Sequence, residues 1–339
     1  MRSTVDVVIP CYNYGKFLSE CVESVLSQDG VDVRILIIDD CSPDNTQEIG
    51  SDLAFRNEQV EFRRHVNNKG HIDTYNEGIE WACSDFFLLL SADDYLLPGA
   101  LYHATKVMSE HADISFVFGN AVVLSDDGSQ INSEPFGGSA TAPPLLLRCD
   151  EFVQALKGRN IVPTPTAVVR TSAQKRAGGY RKDLPHSGDL AMWLLLAAQG
   201  PVGFVNEPQA VYRVHAQNMS RAYSSVWLPD IEQRLAAFEH FLNLSGSQLP
   251  NVEATRGVLT RALAREALSH ACSAFNEGDT NISLALEKLA RKLDSNIRLS
   301  PAWLRLAVRR ALGQKAWRMA RALKAAAYRP HHRGHGNSA

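Results

Sequence analysis

Short apolar runs alternate, through the first half of the chain, with longer stretches whose apolar residues return every three or four positions. The runs Val5–Ile9, Val33–Ile38, Val60–His65, Phe86–Leu90 and Ile114–Phe118 predict strands, and Phe86–Leu90 reads as a strand buried on both faces. Between them, Phe17, Cys21, Val22, Val25 and Leu26 keep helical spacing. Cys41-Ser42-Pro43-Asp44-Asn45-Thr46 is a turn with helix-start chemistry, and Tyr75–Cys83 and Leu101–Met108 predict further helices. Alternation of this kind implies right-handed crossovers and a parallel sheet. Val122–Leu124 and Gln130–Ile131, around Asp127-Gly128, predict a hairpin. Phe136–Pro144 reads as a loop, and Ala210–Val214 as a last short strand. From Val226 onward the pattern is helical. Ile282, Ala285, Leu286, Leu289 and Leu293 form one apolar stripe, and Leu304, Ala307, Val308, Ala311 and Leu312 another. Asp279-Thr280 and Ser300-Pro301 are the expected starts of these two helices.

Three polar clusters fall at predicted strand ends: Pro10–Tyr14, Asp39–Asp44 and Ser91–Asp94. In open α/β sheets ligands sit beyond the carboxyl ends of the strands, so three clusters on one edge predict a cleft. No GxGxxG follows the first strand and there is no Walker loop, which argues against a dinucleotide or P-loop site. Paired acids such as Asp93 and Asp94 can hold a divalent cation that clamps a diphosphate; the bland alternative is an acidic, solvated loop.

Composition adds an asymmetry. The 339 residues carry a net charge of −2, yet Ser295–Ala339 holds ten Lys or Arg and no acid. The six cysteines are scattered without a CxxC pair, which fits a reducing cytoplasm and argues against a disulfide framework. Val5–Ile9 is too short for a secretory signal and ends at Pro10.

With these residues in place, the first two thirds of the chain resemble the family 2 glycosyltransferases of the GT-A fold. Val8-Ile9-Pro10-Cys11-Tyr12-Asn13 resembles the family's opening strand and nucleotide loop. Ile37–Thr46 resembles its Asp-Asp-Gly-Ser-x-Asp-x-Thr segment, and Asn68-Lys69-Gly70 with Asn76-Glu77-Gly78 its paired Asn-x-Gly elements. Ser91-Ala92-Asp93-Asp94 falls on its Asp-x-Asp metal motif, Gly188-Asp189-Leu190 on its base, and Tyr212-Arg213-Val214-His215 on its Tyr-Arg-x-His element.

The resemblance implies an α/β, GT-A-type, Rossmann-like fold: a mainly parallel central sheet sandwiched by helices, with an α-helical extension. The expected division is 1–225 for the catalytic domain and 226–339 for the extension. It implies inverting transfer of a sugar from a nucleoside diphosphate, a UDP-sugar by preference, to an acceptor hydroxyl. Pro10, Tyr12, Asp39, Ser91 and Ala92 are then nucleotide-binding, Asp93 and His215 metal-binding for Mn²⁺ or Mg²⁺, and Asp189 the base. Asp94 and Arg213 are donor or acceptor contacts.

Each assignment has a structural counterpart. Asp39 and Asp40 can cap the following turn, Asp189 can cap a helix, and Arg213 can brace a loop. Ser91 stands where the family has an acid, Tyr75 where it often has Arg, and Gly188 where it often has Glu. Those departures motivate an alternative, a non-catalytic GT-A-like binding or scaffold module. A nucleotidyltransferase would need a Gly-rich, basic loop that Pro10–Gly15 does not supply.

In Arg298–Arg329 basic residues interleave with Trp303, Leu304, Leu306, Trp317, Met319 and Leu323, a composition suited to a helix on an anionic membrane surface. The expected location is therefore the cytoplasm, at the inner membrane face if that helix binds. No nucleic acid partner is expected; the helical extension can pack on the catalytic domain or on a second copy.

Overall fold

The computed structural model describes residues 2–137, 142–216, 218, 226–317 and 319. The chain divides into two compact units, Met1–Leu259 and Thr260–Ala339.

In the first unit, β1 (Ser3–Cys11), β2 (Val31–Asp39), β3 (Val60–Arg64) and β4 (Phe86–Leu89) lie in the order β3-β2-β1-β4, all parallel. They are joined by α1 (Gly15–Leu26), α2 (Thr46–Arg56) and α3 (His71–Trp81). Val7, Val8, Ile9, Ile35, Leu36, Ile37, Ile38 and Leu88 are wholly buried, as strands covered on both faces require. Gly78 on α3 lets the helix approach β1 closely, since a Cβ there would lie 2.3 Å from Val8 Cγ1. That contact gives the second Asn-x-Gly element a packing reason.

Beyond β4 the sheet becomes mixed. β5 (Tyr95–Leu96) and α4 (Ala100–Glu110) precede β6 (Phe116–Ser125), which forms the expected hairpin with β7 (Gln130–Ser133). After β8 (Leu145–Leu147) and α5 (Cys149–Leu156), β9 (Val168–Arg170) inserts antiparallel between β4 and β6. α6 (Thr171–Ala177) and α7 (Gly188–Ala197) lead to β10 (Val202–Val214), and α8 (Trp227–Ser245) follows. The α/β, GT-A-type architecture is the one expected, but only its first half is a parallel sheet.

β10 extends the short strand expected over Ala210–Val214 back to Val202. It runs thirteen residues beside β6, with register shifts on both sides of Pro208. Proline cannot donate to a ladder, and the irregularity accommodates it. The long strand carries Arg213 and His215 to the carboxyl edge, where Val211 pairs with Tyr95 of β5.

In the second unit, α9 (Val252–Glu277), which begins in the first, buries Leu263, Ala267, Leu268, Ala271 and Phe275. α10 (Thr280–Leu293) and α11 (Pro301–Leu312) start as expected: Asp279 accepts from Ile282 N–H at 2.9 Å and Ser300 from Trp303 N–H at 3.2 Å. The apolar stripe of α11 does not face inward. Leu304 is 66% exposed and Val308 and Leu312 53% each, while Leu306 is buried. Part of the expected loop, 138–141, and the basic run at 318 and 320–329 lie outside the described residues.

Candidate active site

The loops that leave β1 and β2 are tied together. Parallel register sets Cys11 beside Asp39, and Asp40 N–H donates to the Cys11 carbonyl at 2.9 Å. Asn13 N–H donates to Ser42 Oγ and Gly15 N–H to Asp44 Oδ2, both at 2.9 Å. Asn13 and Cys41 take left-handed backbone, with φ of 62° and 63°. Glycine holds the second of these positions in the family pattern that Ile37–Thr46 resembles.

Of the expected nucleotide residues, Tyr12 is 49% exposed at the end of β1 and Pro10 is half-buried. Asp39 is wholly buried: Oδ1 accepts from Ser42 N–H at 2.8 Å, and Oδ2 pairs with Arg64, its register partner on β3. Arg64 also donates to the Ser42 carbonyl at 3.0 Å. Asp40 is the cap it was expected to be, accepting from Lys69 N–H at 2.7 Å and Gly70 N–H at 2.8 Å, with His65 Nδ1 at 2.7 Å.

The third loop, Ser91–Asp94, meets the end of β10. Ser91 is half-buried and its carbonyl accepts from Asp94 N–H at 3.0 Å, while Ala92 belongs to the core. The Asp93 carboxylate lies 3.1 Å from His215 Nε2 and 3.4 Å from Asn218 Nδ2. His215 stacks on Phe17, centroids 5.7 Å apart, and meets Tyr14 edge-on at 5.3 Å. Asp94 accepts from Arg213 N–H at 2.9 Å.

The Arg213 guanidinium donates to the Asp93 carbonyl at 2.7 Å and pairs with Glu20 at 2.5 Å. It lies between the rings of Phe17 and Tyr95, 4.9 and 4.7 Å from their centroids. Arg213 therefore braces this loop. Burial raises Asp93, despite His215, and raises Asp94 well above the usual carboxylate range, with the charge of Asp93 adding to it.

Asp189 sits in the first turn of α7, where an acid is favoured by the helix dipole. Thr164 Oγ1 donates to its Oδ2 at 3.0 Å. Burial raises its pKa; Thr164, then Tyr180, His71 and His186, oppose the rise. Tyr75 lies close enough to both acids to feel their charge. Burial, then the charges of Asp189 and of Asp93, push its hydroxyl far up, and Tyr14 and Tyr212 add to the effect. Asp93 and Asp189, 96 residues apart in sequence, thus both act on one tyrosine.

Among the described residues no group of three or more His, Cys, Asp or Glu gathers as a metal site. Asp93 and His215 offer two donors 3.1 Å apart, the spacing of neighbouring ligands on one ion. A carboxylate and an imidazole suit Mn²⁺ or Mg²⁺ when substrate phosphates complete the shell. Arg64, Thr164, Tyr180 and Asn218 were not legible as site residues. Arg64 comes from strand register, and Tyr180 from a turn with no helix or strand period; Thr164 opens the short 3-10 turn Thr164–Thr166.

Residues 6–157 match the family model described as glycosyl transferase family 2. The chain is 29% identical over 152 residues to the Campylobacter jejuni GalNAc(5)-diNAcBac-PP-undecaprenol beta-1,3-glucosyltransferase, covering 44% of this chain and 48% of that one. It therefore spans about half the length of that relative.

Among solved structures, residues 1–349 of S. aureus TarS in complex with UDP-GlcNAc share the fold. The TM-score is 0.68 and the identity 16%, over 96% of this chain and 93% of that one. A mannosyltransferase from Pyrobaculum calidifontis, PcManGT, in complex with GDP-Man and Mn²⁺, aligns at TM-score 0.50 and 16% identity, over 96% and 87%. The family match ends before Asp189, Arg213 and His215, so their places in the site rest on geometry. The matched segment carries the three strand-end loops and is similar to the family 2 glycosyltransferases, and the chain shares the GT-A fold of these structures.

Proposed function

We propose that this chain is an inverting, metal-assisted transferase that moves a sugar from a UDP-sugar to an acceptor hydroxyl. The observation that carries this is that Asp189 and Asp93 both lie close enough to Tyr75 for their charges to raise its hydroxyl. The acceptor hydroxyl gives its proton to the Asp189 carboxylate. Its oxygen bonds the anomeric carbon from the face opposite the diphosphate, and the bond to the diphosphate oxygen breaks with its electron pair. Burial suits Asp189 to this, because a raised pKa makes a stronger base nearer neutral pH.

Asp93 and His215 would hold Mg²⁺ or Mn²⁺, which, when bound, supplies Lewis-acid stabilisation of the leaving diphosphate. Asp94 and Arg213 fix the loop that presents Asp93. Tyr12 offers its exposed ring to the base, with Pro10 beneath it. Asp39, Ser91 and Ala92 are read with them as the nucleotide side of the site; Asp39, held by Arg64, shapes the loop that carries Ser42.

The extension from residue 226 is read as a platform. The exposed stripe of α11, with Arg298, Arg305 and Lys315 exposed near it, fits contact with an anionic membrane. The undecaprenol in the name of the Campylobacter relative supports a lipid-linked acceptor.

Calorimetric titration of UDP, with and without Mn²⁺, tests the reading. Mn²⁺ should tighten UDP binding at least about tenfold in the wild type and hardly at all in Asp93→Ala. UDP binding indifferent to Mn²⁺, together with no UDP release from UDP-glucose, UDP-galactose or UDP-GlcNAc, would favour the non-catalytic module.

A further inference from the structure

We propose that Asp230 and Arg234 of α8 are positioning residues for Asp189: they bridge the turn that presents the carboxylate to the segment that supplies its Thr164 partner. The inference rests on the reading of Asp189 as the base.

The bridge can be followed bond by bond. His186, three residues before Asp189, has Nε2 2.7 Å from Asp230 Oδ1. Asp230 Oδ2 accepts from Arg234 at 2.6 Å, and the same guanidinium donates to the Gly158 carbonyl at 2.9 Å. Six residues on from Gly158, Thr164 Oγ1 donates to Asp189 Oδ2 at 3.0 Å. The two segments that meet at Asp189 are therefore joined a second time, by one ion pair on a single helix.

Asp230 and Arg234 are four residues apart, so they share one face of α8. Arg234 is 6% exposed, and a guanidinium so buried needs the carboxylate and the carbonyl it is given. Burial acts to raise the Asp230 carboxyl, but His186 and Arg234 outweigh it and hold it below the usual carboxylate range. His186 thus meets an anion, which only accepts, and donates to it through Nε2.

The same turn is held from α3. His71 Nε2 donates to the Pro185 carbonyl at 3.1 Å. Asn76 clasps the Tyr180 backbone, accepting from its N–H at 2.6 Å and donating to its carbonyl at 2.9 Å. From α8, Gln233 donates to the Asp183 carbonyl at 3.1 Å. The segment 180–187 has no helix or strand of its own, so these side chains set where α7, and with it Asp189, begins. A base displaced from its acceptor loses rate without losing donor affinity, and that is the effect of cutting the bridge.

The test measures UDP release from UDP-GlcNAc, UDP-glucose and UDP-galactose in Asp230→Asn, alone and combined with Asp189→Asn. The asparagine keeps the shape of the side chain but turns an amide N–H toward one of the two donors. It should lower kcat about tenfold, with KM and UDP affinity within about twofold. In the Asp189→Asn background the same change should cost less than about twofold, because no carboxylate is left to position. Amide hydrogen exchange should quicken at least about tenfold over 180–190 and stay within about twofold in β1 and β2.

His186→Phe should reproduce these effects. It leaves the Asp230–Arg234 pair in place, and it serves if Asp230→Asn fails to fold. Equal losses with and without the Asp189 carboxylate, a loss carried by KM or UDP affinity alone, or wild-type kcat and exchange in both variants would overturn the proposal. Wild-type UDP release by Asp189→Asn itself would instead sink the base reading, and this inference with it.

Discussion

Asp6 and Asp94 are both buried carboxylates of the same sheet, yet their surroundings drive them in opposite directions. Asp6, on β1, is wholly buried. It accepts from Arg34 at 2.8 and 2.9 Å, from Cys83 and Ser84 N–H at 2.6 and 2.8 Å, and from Ser84 Oγ at 2.7 Å. Burial alone would raise its pKa, but Arg34 and the donors at 83–84 outweigh that and hold it below the usual range. Asp94, at the carboxyl edge, is as deeply buried, has Asp93 as its neighbour, and is pushed far up. The first acid is compensated and serves the fold. The acids of the rim are incompletely compensated, and strained electrostatics of that kind collect where chemistry is done.

The sharpest way to break this contrast is Asp189→Asn. Removing the base should cost about 10²–10⁴-fold in transfer while UDP binding stays near wild type, as calorimetry beside a turnover assay would show. Near-normal turnover would place Asp189 with the structural acids.

Next is Asp6→Ala, which leaves Arg34 and two backbone donors without their acceptor. A loss of about 3 kcal/mol in stability is expected, read by denaturant unfolding, with turnover per folded molecule unchanged. The pH dependence follows from the depressed pKa. The unfolded chain binds more protons between the folded value and about 3.9, so Asp6 stabilises fully above that range. The advantage of wild type over Asp6→Ala should therefore fade as pH falls below about 4.

The smallest effect belongs to Cys41→Gly. Relief of left-handed backbone at φ 63° is offset by the entropy glycine adds to the unfolded chain, so a gain of under about 1 kcal/mol is expected. A loss would show that the contact of Cys41 Sγ with the Val66 carbonyl, at 3.5 Å, matters more.

Much of the fold was legible because it depends on local periodicity. The apolar runs at Val5–Ile9 and Phe86–Leu90 had no other way to be buried, and Asp127-Gly128 supplied its own hairpin turn. The antiparallel insertion of β9 was not legible, because Val168–Arg170 is too short to carry a period. The stripe on α11 was legible as a stripe; that Leu304, Val308 and Leu312 face outward is not a property of their spacing.

In the site, Asp93 stood out as an acid at a strand end, while Asp189 and His215 were singled out by the family resemblance. Arg64 did not, because its partner is set by the pairing of β2 with β3. Nor did Tyr180, whose backbone is held by an asparagine 104 residues earlier.

By itself, then, the amino-acid order determined the strands, the helices and the three polar clusters, because backbone preference and the burial of apolar runs act over a few residues. Only the tertiary structure decided that Asp39 is paired with Arg64, that Arg213 braces a loop, and that the charges of Asp93 and Asp189 both reach Tyr75. Those outcomes depend on strand register and on helix–strand distances, which are settled by packing between segments far apart in the chain.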